Sequence, residues 1–202
     1  EVTISKAQIK VIEKVPGSLM PPGLTTNLSK EEFTNLVAFL SKIGETGKFR
    51  VPNERYVRRW RAVTANKELG AKLSAKGLDF ITKADTKAPM VPFYSKVSGE
   101  LSVADLPIID VNSKRYSFVK FDLEVLNKGN VKLAFNTTSG VMAWAGQTAL
   151  KFTDSAIVTG LAQGIQQITL AIDRSAIKDG VLDVQLQDAA SDAAQTRLVM
   201  GQ

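Results

Sequence analysis

The 202-residue chain contains neither cysteine nor histidine. Without cysteine there is no disulfide, no thiolate nucleophile and no thiolate metal ligand. Without histidine there is no Ser-His-Asp or Cys-His machinery and no imidazole ligand for zinc, copper or haem iron. Carboxylate sites for calcium or magnesium survive this test. Zero cysteine leaves the compartment open, because disulfide-free proteins occur in oxidising spaces too. No apolar run approaches the roughly 18 residues of a membrane span, and the N-terminus has no signal-peptide pattern. The first residue is Glu1, with no initiator methionine, so a fragment or a mature product is expected. There is no repeat of fixed period and no low-complexity tract.

The charge that is present is unevenly placed. Residues 1–77 hold 14 Lys/Arg against 7 Asp/Glu, and residues 78–202 hold 12 against 13. The net charge of +6 therefore belongs to the first part, and the chain reads as two compositional units.

The first unit opens with two short stretches of alternating apolar residues, Val2/Ile4 and Ile9/Val11, read as strand candidates. The turn-rich run Pro16-Gly17-Ser18-Leu19-Met20-Pro21-Pro22-Gly23 follows. Ser29 and Glu32 then form an S-x-x-E capping box ahead of Phe33, Leu36, Val37, Leu40 and Ile43 at helical spacing, with Gly44 as the stop. This predicts a helix over about 30–43. Residues 44–77 are basic and less regular, with a second short helix expected within Asn66–Leu73.

The second unit is a series of period-2 segments. Val119, Phe121, Leu123 and Val125 alternate with charged residues, and after Asn127-Lys128-Gly129-Asn130 come Val131, Leu133 and Phe135. This pattern predicts a hairpin. Further strands are expected at Val141–Ala145 and Ala149–Phe152 around Gly146-Gln147, at Ile168–Ile172, at Leu182–Leu186 and at Arg197–Met200. Strands at this spacing read as an antiparallel sandwich or jelly roll.

The segment Ser18-Leu19-Met20-Pro21-Pro22-Gly23 followed by Leu36-Val37-Ala38-Phe39-Leu40 resembles the end of a c-type cytochrome domain. With the short hairpin before it, Glu1–Ile43 is similar to the tail of the haem-binding domain found in planctomycete and verrucomicrobial proteins. The resemblance covers about a fifth of the chain. It implies that Met20 matches the family's axial methionine, a cofactor-binding and metal-ligating position. It also implies haem c in an intact parent only, an upstream haem domain as partner, and a periplasmic or cell-envelope location. The family's Cys-x-x-Cys-His attachment site is absent here, so no haem is expected in this chain alone. The segment from Pro92-Phe93-Tyr94-Ser95 onward is similar to the accessory sandwich that follows such haem domains, and broadly to carbohydrate-binding jelly rolls.

Arg50, Arg55, Arg58, Arg59 and Arg61 surround Tyr56 and Trp60. Arginines and rings can bind nucleic acid, but no nucleic-acid fold signature accompanies them, and a solvated connector pairing with carboxylates is the stronger reading. Asp173, Asp179, Asp183, Asp188 and Asp192 lie scattered through turns and strand ends without EF-hand spacing. Trp144 shares a strand face with Met142, opposite Val141, Ala143 and Ala145. It is either a core residue or an exposed ring that stacks on a sugar, and it is the candidate ligand-binding residue.

The expectation is thus an α+β chain without enzymatic activity. Residues 1–45 are the remnant of a cytochrome-c-like domain, 46–77 a basic connector and 78–202 an antiparallel β-sandwich of jelly-roll type. Function is expected as part of a multidomain electron-transfer protein or, alternatively, as a non-catalytic sandwich that binds glycan or protein, with no nucleic acid and no membrane span.

Overall fold

A computed structural model describes residues 11, 23, 25–42, 54–83, 86, 88–177 and 180–199. The chain divides into two units, Glu1–Val51 and Pro52–Gln202.

In the first unit, helix α1 spans Lys30–Lys42. Its start is set locally. The Glu32 N–H donates to Ser29 Oγ at 3.2 Å, and the Ser29 N–H donates to Glu32 Oε2 at 2.8 Å. This reciprocal pair is the capping box legible in the sequence. The Ser29 backbone N–H, with its hydroxyl, holds the Glu32 carboxyl below the usual range. No side chain of α1 is buried: Phe33, Leu36, Val37, Phe39 and Leu40 are 39–57% exposed. The strand candidates around Val2/Ile4 and Ile9/Val11 lie outside the described residues, Val11 apart, as do Ile43 and Gly44.

The second unit contains strands β1 (Arg55–Tyr56), β2 (Arg59–Val63), β3 (Met90–Tyr94), β4 (Leu101–Ser102), β5 (Ile109–Val111), β6 (Lys114–Val125) and β7 (Gly129–Phe135). It continues with β8 (Val141–Ala145), β9 (Thr148–Leu150), β10 (Ala156–Leu161), β11 (Gly164–Asp173), β12 (Val181–Leu182), β13 (Val184–Asp188) and β14 (Thr196–Leu198). Helix α2 (Lys67–Lys76) and a 3-10 helix (Leu78–Thr82) lie between β2 and β3. One sheet has the order β1-β13-β7-β10, and a larger one β3-β2-β6-β11-β8-β9.

Strand β6 organises the larger sheet. Along one edge it pairs antiparallel with β11, from Val125 opposite Gly164 to Tyr116 opposite Asp173. Along the other edge three short strands follow one another: β5, then β2, then β14. Its side chains alternate between two cores. Val119, Phe121, Leu123 and Val125 face the smaller sheet and join Val131, Leu133, Ile157 and Leu186. Tyr116 and Phe118 point the other way and join Leu69, Leu73, Phe80 and Ile81 of the helical segment. The unit is therefore an antiparallel β-sandwich with a helical layer over part of one outer face.

Helix α2 is fixed in this layer by its ends and by one glycine. Asn66 Oδ1 accepts from the N–H groups of Glu68 and Leu69, and so caps the first turn. Gly70 is buried, and a Cβ there would stand 2.7 Å from the Asp110 carbonyl oxygen of β5. Only glycine lets the helix backbone lie this close to the strand.

Three expectations are corrected here. Residues 55–76 are not a connector. They supply β1, β2 and α2, and bury Val57, Trp60, Ala62, Val63, Leu69 and Leu73. The alternation that decides this is Arg59 and Arg61 outward against Trp60 and Ala62 inward. The segments 119–125 and 131–135 do not form a hairpin, because β6 and β7 lie in different sheets. The turn between them docks instead on residues 192–195. The Asn130 N–H donates to the Asp192 carbonyl at 2.6 Å, and the Gln195 N–H to Asn127 Oδ1 at 2.6 Å. The expected strand Leu182–Leu186 is likewise two, since Leu182 pairs with Leu101 and Val184 with Phe135. The β8–β9 pair about Gly146-Gln147 stands as read.

Candidate functional site

The helical layer covers the outer face of the larger sheet only in part. At its border, Lys120 Nζ donates to the Ile81 carbonyl oxygen at 3.2 Å. Beyond that point lies a depression of about 200 Å³, lined by outward residues of β2, β3, β6 and β11. Arg59 and Arg61 come from β2, Tyr94 from β3, Lys120 and Asp122 from β6, and Ile165 from β11.

Strand register brings these residues together. Arg59 lies opposite Tyr94, and Arg61 lies opposite Lys120. Tyr94 is 62% exposed, and the Arg59 guanidinium carbon stands 5.9 Å from its ring centroid. That distance is at the outer edge of a cation–π contact. Arg61 Nη2 donates to Asp122 Oδ1 at 2.7 Å. Lys120 is buried at 8% exposure. Burial pushes its ammonium below the usual lysine range, the Arg61 charge adds to the effect, and Asp122 opposes it. The arrangement offers a partly apolar ring face, several N–H donors and an excess of positive charge at one shallow surface.

The residues singled out from the sequence fall elsewhere. Trp144 is 6% exposed and packs in the core beneath the helical layer, with Phe118 and Ala171. It is a packing residue, and its ring is not available to stack on a ligand. The face of β8 that carries Trp144 is covered at Trp144 but not at Met142, which strand alternation alone does not reveal. Met20 lies outside the described residues. Two of the arginines pair with carboxylates, as expected of the group. Arg55 Nη2 meets Asp188 Oδ1 at 2.5 Å, and Arg61 meets Asp122. Asp173 accepts from the Ser175 hydroxyl at 2.6 Å, and this bond holds its carboxyl below the usual range, with the Ser175 N–H and Lys114 contributing and burial opposing. Among the described residues, no group of three or more acidic side chains is placed to hold a metal ion, and no helix is long and apolar enough to cross a membrane.

Sequence reasoning missed Tyr94, Arg59, Arg61 and Lys120 as one surface. The signal available was the strict alternation within Met90–Tyr94 and Arg59–Val63, which puts Arg59, Arg61 and Tyr94 on the same side once the strands pair. No protein-family model matches the chain, and no curated protein matches it.

Proposed function

We propose that the second unit is a non-catalytic binding module and that its ligand is a glycan, held at the depression around Tyr94. The carrying observation is the 62% exposed Tyr94 ring beside Arg59 on the outer face of the larger sheet. A sugar ring has an apolar C–H face and a rim of hydroxyl groups. The first suits an aromatic face, and the second suits guanidinium donors. The size of the site fits this use. At about 200 Å³ it is smaller than the pockets of roughly 300–1,000 Å³ that enclose a drug-sized ligand. It suits one or two rings lying on a surface. Among the described residues, the carboxylate lining it is Asp122, and Arg61 engages it.

Isothermal titration of the full chain against a panel of xylohexaose, cellohexaose and hexagalacturonate tests the proposal. At least one is expected to bind, and Tyr94→Ala is expected to weaken it about tenfold, the weight of one aromatic contact of about 1.4 kcal/mol. Absence of binding to all three at millimolar concentration would overturn the proposal.

A further inference from the structure

We propose that the glycan is acidic, built of uronate units whose carboxylates are met by Arg59, Arg61 and Lys120 while Tyr94 supports a ring face. This rests on the reading of the depression as a glycan site, and adds the chemical class of the ligand.

Among the described residues, three cations and one carboxylate line the depression. Two of the cations, Arg61 and Lys120, lie directly opposite each other across β2 and β6. Like charges in that register repel. Asp122 bonds Arg61 at 2.7 Å and compensates only part of this. Arg61 keeps further donors, because a guanidinium has five N–H groups and its side chain is 41% exposed. Lys120 is less well served. Its ammonium is largely withdrawn from water and donates to a neutral carbonyl, that of Ile81. Burial and Arg61 disfavour its charge, Asp122 opposes them in part, and an incoming carboxylate would favour it further. A neutral sugar leaves the Arg61–Lys120 repulsion only partly offset by Asp122, whereas an acidic sugar relieves it.

The cluster is also compact. Arg59 is two residues from Arg61 along β2, or about 7 Å, and Lys120 is one strand away, about 5 Å. A single-stranded nucleic acid needs cations along a track with successive aromatic platforms. Here one exposed ring accompanies one group of cations, which fits a carboxylated ring with its neighbour.

The test compares hexagalacturonate with fully methyl-esterified hexagalacturonate, by titration of the full chain at about 50 mM salt. The acid is expected to bind at least about tenfold more tightly than the ester, and more weakly as salt rises. Lys120→Gln and the surface variant Arg59→Gln should each cost the acid several-fold, and clearly more than they cost the ester; the second guards against a folding defect in the first. Equal binding of acid and ester, both lost in Tyr94→Ala, would overturn the acidic class and keep the glycan site. Binding of neither, with xylohexaose and cellohexaose also silent, would overturn both. Tighter binding of a thymidine decanucleotide than of the acid would assign the surface to nucleic acid and overturn the inference.

Discussion

Trp60 Nε1 donates to Ser95 Oγ at 2.7 Å, and the same hydroxyl donates to the Val57 carbonyl at 3.1 Å. One serine thus ties the segment before β2 to the end of β3. The Trp60 ring is 2% exposed and meets Phe121 edge-on, with centroids 5.2 Å apart. Both ends of the tryptophan are therefore satisfied, the ring by packing and the N–H by a partner. Ser95→Ala leaves the buried indole N–H unpaired and is expected to cost about 1–3 kcal/mol. Trp60→Phe removes the donor and some volume. In the double variant the losses should sum to less than the two singles, because the shared bond is counted once. Urea unfolding of the four proteins measures this.

The boundary of the folded sandwich follows from the same strands. A chain of residues 52–202 keeps every element of the second unit and is expected to unfold cooperatively. A chain of residues 78–202 loses Trp60, Val63, Leu69 and Leu73 from the two cores. Each such loss weighs about 2–5 kcal/mol against a total stability of about 5–15 kcal/mol. That shorter chain should show no cooperative transition by circular dichroism.

Asp183, half-buried between β12 and β13, has its carboxyl pushed up, first by burial and then by the Glu100 charge. Its folded value lies above the unfolded 3.8. The contribution to stability is thus fully present below pH 3.8 and is lost as pH rises through the folded value. Asp183→Asn should raise stability at pH 7 and change little at pH 3. Glu100→Gln should move stability the same way, by less. Denaturant midpoints at the two pH values check the sign.

Gly70→Ala places a methyl 2.7 Å from the Asp110 carbonyl oxygen, a backbone atom that cannot swing aside. Alanine favours helices over glycine by about 1 kcal/mol. Here the clash should win, and a net loss of about 1–3 kcal/mol is expected. Thermal unfolding of the variant is the measurement.

What the sequence makes legible depends on the range of the interaction. The start of α1 is written in Ser29 and Glu32, three residues apart, and the β8–β9 turn in Gly146-Gln147. Partner choice is not local. The alternation at 119–125 and 131–135 is real in both strands, but nothing within it says that β11, rather than β7, lies beside β6. The contacts that redirect the turn come from Asp192 and Gln195, some sixty residues later. Trp144 is ambiguous for the same reason: the helical layer that buries it comes from residues some sixty to eighty positions earlier, and nothing in β8 itself marks that cover. The grouping of Arg59, Arg61, Tyr94 and Lys120 is not legible because it depends on the pairing of β2 with β3 and β6, and the cations alone read as a solvated basic run.

The central claim is that the face bearing Arg59, Arg61, Tyr94 and Lys120 is the ligand surface of this protein. Amide chemical-shift mapping of the full chain, titrated with hexagalacturonate, tests it most directly. The account predicts progressive shifts at Arg59, Arg61, Tyr94, Asp122 and Ile165, with the edge strand β10 and helix α1 unmoved. Shifts confined to β10 or α1, with the β2–β3–β6 face silent, would contradict it.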